Sequence, residues 1–360
     1  MTTYKKDIQD QQHLTRRQFI KSTAAGAAAM YVAPSMALGA DRVQKDAKSR
    51  VVIVNHKQMI NSHGLINTKS ARQSVDESLL LLTQKKDIKD AWLQIFPNLK
   101  SQDTIGLKIN CANPKCPTHP EIVYAIADSM IGSLDINPNN IIIWDRSISE
   151  LKKAGYVINQ SKKGIRCLGN IDNFDFNRLI YGTPQDESGI GYDKNKVIEV
   201  EEHITASLSK ILTRMCTYLI NVPVLKDHYM SGITLSLKNH YGSIDIPHFF
   251  HDNYCDPFIA KINAAPQIRD KTRLIICDAA YVIYRGGPSG LPQAQCSSIL
   301  ASSDPVALDY TGMQIINKYL EQNNKTPVTE AMAIHVKTAQ KMGLGTCNPD
   351  NIQIKKSIIS

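Results

Sequence analysis

Short apolar runs rich in β-branched residues alternate along this chain with longer stretches whose apolar positions recur every three or four residues. Residues 51–54, 103–110, 141–144, 218–224, 274–277 and 298–301 follow the first pattern and read as strands. Residues 74–83 (with Ser74 as N-cap), 88–95, 119–131, 206–215, 305–319 and 328–341 follow the second and read as helices. Residues 230–240 also fit a helix, with Ser231 as N-cap and Gly242 at its C-terminus. Apolar runs joined by helices predict an α/β fold, a mostly parallel sheet flanked by helices. Residues 158–204 carry Gly182, Gly189 and Gly191 and few apolar runs, and read as a loop-rich insertion in a single α/β domain spanning 51–360.

The segment before this domain has a different character. Arg16-Arg17, Phe19 and Lys21 precede the small, apolar run from Ser22 to Ala37, with cleavage expected near Ala40. The order resembles a twin-arginine (Tat) signal over residues 1–39, followed by a polar linker over 40–50. That resemblance implies the Tat export machinery as a partner, a periplasmic destination and transport of an already folded chain. The apolar run is about 18 residues long and dominated by Ala and Gly, a poor permanent membrane span.

With 42% hydrophobic and 21% charged residues, the chain has enough apolar material for an ordinary buried core. The formal charge is +9, but five Lys/Arg and two Asp precede Ala40, so about +6 remains after it. That excess is spread over Lys pairs rather than gathered with aromatics, which argues against a nucleic-acid groove. Eight cysteines lie beyond residue 110 with no Cys-x-x-Cys and no ferredoxin-type spacing.

Polar residues recur where the apolar strands end, the rim where open α/β sheets bind ligands. Lys108 with Asn110, Asp145 with Arg146, the run Lys226-Asp227-His228, and Asp278 all fall at such ends. Their convergence would make a cationic pocket for a small anion. Lys108, Lys226 and Lys238 would hold the anion, and Asp278 or His228 would move a proton. Asn110, Asn239, Arg285 and Asp309 are further candidates for ligand contact. The glycines of Arg285-Gly286-Gly287-Pro288 let backbone amides nest an anion. Phosphate-loop, dinucleotide and Gly-x-Ser-x-Gly motifs do not occur.

The order of several pieces is similar to that of domain of unknown function family 362. They are Lys108-Ile109-Asn110, Thr118 to Glu121, Asn221 to His228, Gly232 to Asn239, Asp278 to Pro288 and Ser302 to Asp309. The resemblance covers about 200 residues and names a family without naming a reaction. Many members carry appended ferredoxin-like motifs, which this chain lacks.

His248-x-x-His251-x-x-x-Cys255 is the best candidate for a metal, since imidazole and thiolate on one helical face suit Zn or Fe. Cys111 and Cys116, close together beside Lys108, are open to a disulfide, to iron–sulfur ligation, or to remaining free thiols. Two functions follow. One is a redox or metal-assisted enzyme acting on a small anionic substrate, its metal ion or iron–sulfur cluster loaded before export. The other is a non-catalytic ligand-binding or metal-centre accessory protein.

Overall fold

Strands covered on both faces have to be apolar on both, and this governs the centre of the molecule. The computed structural model describes residues 48–172, 189–201 and 204–360. The twin-arginine segment, most of the linker, and residues 173–188 and 202–203 of the expected insertion lie outside the described residues.

In chain order, β1 (Ser49–His56) leads to α1 (Thr68–Thr83) and α2 (Ile88–Ile95), then β2 (Ile105–Lys108), α3 (Pro120–Leu134), β3 (Ile141–Ser147) and α4 (Ile148–Lys153). β4 (Arg166–Ile171), β5 (Tyr192–Glu201), β6 (Ile204–Ser209), β7 (Tyr218–Asn221), β8 (Val224–His228) and β9 (Gly232–Thr234) follow. The chain continues through α5 (Ser236–Asn239), α6 (Phe258–Ala264), α7 (Pro266–Arg269), β10 (Thr272–Ile283) and β11 (Ala294–Ser302). It closes with α8 (Pro305–Gln322), α9 (Ile334–Lys341) and β12 (Ile352–Ile359). No described helix is long and apolar enough to cross a membrane.

The main sheet has ten strands, with β12, β1, β11, β10, β7, β2, β3 and β4 side by side and β8 and β9 branching from β10. β10, β7, β2, β3 and β4 are mutually parallel, whereas β11 runs antiparallel to both β10 and β1. The sheet is therefore mostly parallel but mixed. Alternate residues feed two cores: Ile141 and Ile143 pack with Trp92, Ile122 and Ile126, while Ile142 and Trp144 pack with Leu212 and Leu237. At about 25 cal/mol per Å² of apolar area, these two layers are the main source of stability.

Several elements differ from the sequence reading. α1 begins at Thr68, capped by the Asn67 side chain; Ser74 lies inside it, donating back to the Ser70 carbonyl. Residues 206–215 form no α-helix. Ala206 and Leu208 point the same way from β6, and a π-turn over Ile211–Met215 follows. The apolar run at 218–224 is broken by Pro223, which has no amide to give a ladder. The segment 230–240 divides into β9 and the four-residue α5. Within the expected insertion, β4 joins the main sheet beside β3, and β5 pairs with β6 in a two-stranded sheet. The alternation of Ile352 and Ile354, overlooked in the sequence, makes β12 an edge strand parallel to β1.

Candidate functional site

β2 ends on a buried cation. Lys108 is 1% exposed, and its Nζ lies 2.7 Å from Asp145 Oδ1, 2.7 Å from its neighbour's carbonyl at Ile109 and 3.3 Å from Asn239 Oδ1. The other oxygen of Asp145 accepts the Cys111 amide at 2.6 Å. Parallel registry sets this up, because Lys108 and Asp145 leave the ends of adjacent strands whose last paired residues are Lys108 and Trp144. Gly242 closes the space above: a Cβ there would stand 2.8 Å from both Lys108 Nζ and Asp145 Oδ1.

Asparagines extend the network. Asn239 accepts from Asn110 Nδ2 at 3.1 Å and donates to the Lys108 carbonyl and to Asn221 Oδ1. Asn110 in turn accepts from Lys226 Nζ at 2.7 Å. Lys108 and Lys226, 118 positions apart in the chain, are thus joined by three hydrogen bonds through Asn239 and Asn110. Their ammonium groups have different surroundings. Lys108 has a carboxylate; among the described residues Lys226 has a hydrogen bond to Asn110 and no carboxylate within 4.0 Å. Burial pulls the Lys226 pKa down, partly opposed by Cys116 and Asp145.

Beyond Lys226, His228 projects from the same face of β8, since side chains two apart share a face. Its Nδ1 accepts the amides of Met230 and Ser231 at 3.1 and 3.2 Å, which leaves the ring proton on Nε2. Burial, then Lys238, His251 and Lys226, push its pKa down to about 2, so it stays neutral. The ring stacks on His251 with centroids 5.9 Å apart. His251 Nε2 lies 3.1 Å from Lys238 Nζ, and that ammonium stands 3.5 Å from the centre of the Tyr241 ring. Lys238 also has no described carboxylate within 4.0 Å, and burial lowers its pKa to about 8. Lys226 and Lys238 are therefore both near enough to the His228 imidazole for their charges to act on it.

Two unpartnered polar groups border this cationic pair. Thr234 pairs across the β8–β9 ladder with Lys226, and its buried hydroxyl has no partner among the described residues. His335, fully buried in α9, has neither ring nitrogen bonded among them, and burial with Lys238 nearby holds its pKa at about 3.

Asp278, at 0% exposure, holds His119: one oxygen accepts both the His119 amide at 2.8 Å and its Nδ1 at 2.7 Å. Burial disfavours the imidazolium, but the Asp278 charge and hydrogen bond more than offset that, and the His119 pKa is raised. This pair is tied to the lysine network. Thr118 exchanges hydrogen bonds with Asn110, and Cys116 lies close enough to both Asp278 and Lys226 for each charge to act on its thiol. His119 was legible as a helix start but not as a partner of Asp278, although it immediately follows Thr118 in the motif.

Other expected residues have different tasks. Asp309 is fully buried and accepts from the Ser236 amide and hydroxyl and the Leu237 amide, so it anchors α5 and fixes where Lys238 and Asn239 point. The amides of Gly286 and Gly287 nest an anion, but that anion is the Asp227 carboxylate of the same chain, at 3.1 and 2.5 Å. Arg285 donates to the Thr326 carbonyl at 2.6 Å. A cavity of about 110 Å³ touches the network only at Asn221; His240, Asn263 and Arg269 also line it, and the lysines of the network do not.

The residues singled out for a metal do not fit one. His248 and Cys255 lie on separate 3-10 turns, with His251 between them, so no single helical face presents the three. Among the described residues no three His, Cys, Asp or Glu side chains converge as ligands would. Cys111 and Cys116 are free thiols packed in different apolar clusters, and burial pushes Cys116 up to about 12.

Residues 105–314 match the family model described as Domain of unknown function (DUF362), and residues 13–31 match that of the TAT (twin-arginine translocation) pathway signal sequence. The signal indicates export. No curated protein matches the chain. Among solved structures, a Thermotoga maritima protein determined by a structural-genomics consortium is 12% identical with a TM-score of 0.34. The match covers 66% of this chain and 58% of that protein.

Proposed function

Because the chain belongs to the DUF362 family, whose description names no reaction, we propose its function from the residues it gathers. The rim formed by the ends of β2 and β8 binds a small anion, with Lys226 as its anchor and Lys238 as the second lysine of the site. The His119–Asp278 pair is placed to move a proton to or from that ligand. Lys108 is the positioning cation: its charge is spent on Asp145, and it orients Asn239 and through it Asn110.

One observation carries the reading. Lys226 is 1% exposed, bonded to a neutral amide oxygen, and without a described carboxylate partner. An ammonium removed from water costs several kcal/mol unless it is paired. A bound anion supplies the missing charge, and the Thr234 hydroxyl beside it supplies a donor.

A binding protein that does no chemistry would use the same anchor. The buried Asp278 aimed at His119 favours the enzymatic alternative, because holding an anion does not require an oriented imidazole. Exported through the Tat route, the protein meets its ligand in the periplasm.

Calorimetric titration with phosphate, sulfate and short mono- and dicarboxylates tests the proposal. At least one should bind, and Lys226→Met should weaken it at least tenfold while the unfolding midpoint is kept. Equal affinity in the folded variant would remove Lys226 as the anchor.

A further inference from the structure

We propose that Lys238 forms an imine with the carbonyl carbon of a small 2-oxo acid whose carboxylate rests on Lys226. This deepens the anion-site reading and depends on it for the carboxylate. An imine-forming lysine needs three things: a free lone pair, a neighbour to take a proton, and a partner group to hold the carbonyl compound in place.

Lys238 is 6% exposed and lies against the Tyr241 ring face, 3.5 Å from its centre, with no described carboxylate to fix its charge. Burial favours the neutral amine. The groups facing it are His251, His228, His335, Tyr241 and Cys255, and none brings a full negative charge while Tyr241 and Cys255 keep their protons, as burial makes them do. His251 Nε2 at 3.1 Å is the proton relay: burial and then the Lys238 charge lower its pKa to about 4, against the smaller effect of hydrogen bonds with the backbone of His248 and Pro247, so it holds a proton only in passing. Lys226, whose charge also acts on the His228 ring, is matched to a carboxylate.

The backbone supports the special character of this place. Asn253, Tyr254 and Cys255 have φ values of 49°, 56° and 61°, three successive non-glycine residues in the left-handed region. Each such residue costs energy, and strain of this kind persists where surrounding structure enforces it. Here it sets Cys255 beside Lys238 and Tyr241.

The step balances without an oxidant. The Lys238 nitrogen attacks the carbonyl carbon, and the carbonyl π pair moves to oxygen, which takes a proton from solvent. The nitrogen passes its extra proton to His251. His251 hands that proton to the carbinolamine hydroxyl as the C–O bond breaks, so the oxygen leaves as water and the nitrogen lone pair closes the C=N bond of a protonated imine. Carboxylate binding by Lys226 restricts the partner to an oxo acid rather than any aldehyde.

The purified exported chain is incubated with pyruvate or with the neutral ketone acetone, reduced with borohydride, and its peptides are mapped by mass spectrometry. Pyruvate should leave a reduced adduct on Lys238 at least tenfold faster than on any surface lysine, and faster than acetone does. Lys226→Met should remove the preference for pyruvate while acetone still labels Lys238, and Lys238→Arg should abolish both adducts. No preferential labelling of Lys238 by either reagent overturns the imine even if anions bind. Labelling by acetone and pyruvate at equal rates overturns the oxo-acid assignment, while the Lys226 anion site stands or falls on the calorimetric titration.

Discussion

Lys108 and Asp145, at the ends of neighbouring parallel strands, form a buried ion pair of 2.7 Å whose two members are 1% and 6% exposed. A pair of this kind gains little over an apolar replacement, but breaking it strands the remaining charge. Lys108→Met should therefore destabilise the protein by about 3–5 kcal/mol. Lys226→Met leaves no buried carboxylate behind and should cost far less or be stabilising. Urea unfolding of both variants checks the contrast, and similar losses would mean that Lys226 has a structural partner too.

Gly242 is required by close approach to the same pair. Gly242→Ala forces a methyl to 2.8 Å from both charged atoms, with Lys108 Cε at 3.0 Å. Overpacking at a fixed pair should cost about 1–3 kcal/mol, read from the shift in the urea midpoint.

Lys238 has a signature in pH. Its folded pKa of about 8 lies below the ordinary 10.5, so between those values the unfolded chain binds more protons. Stability should rise with pH through this window, with the penalty fully present below pH 8. Lys238→Met removes the titration. Relative to the parent, it should gain ~1–3 kcal/mol at pH 7, less any lost contact with Tyr241, and that gain should vanish towards pH 10.5. Chemical denaturation across pH 6 to about 10.5 measures it.

His119 titrates in the opposite sense. Its pKa is raised, so its stabilising contact with Asp278 is full below the ordinary value of 6.5 and is lost as pH climbs through the folded value. Asp278→Asn removes the charge but leaves the burial, and should carry the His119 pKa below 6.5. Imidazole NMR signals followed against pH report this directly. An unchanged pKa would separate the two residues.

The sequence was most legible where one local rule decided the outcome. Ile141–Trp144 had to be a strand because both its faces are buried, and Asp304 caps α8 through the amides of Val306 and Ala307 with Pro305 in the first turn. It was least legible where tertiary partners outweighed periodicity. Residues 230–240 carry helical spacing, yet the β8–β9 ladder captures 232–234 and Asp309, from α8, starts a new short helix at Ser236. That split sends Lys238 towards His251 and Asn239 towards Lys108. Strand-end polarity pointed to Lys108, Asn110, Lys226 and Asp278. No spacing could pair His119 with Asp278, since 159 positions separate them. Nor could composition show that Asp227 occupies the Gly286-Gly287 nest itself.

The most direct measurement locates the anion. Crystals soaked in bromide and measured at the bromine absorption edge should show an anomalous peak within hydrogen-bond reach of Lys226 Nζ and the Thr234 hydroxyl, lost in Lys226→Met crystals. Bromide distributed over exposed lysines, with neither atom contacted, would contradict the account.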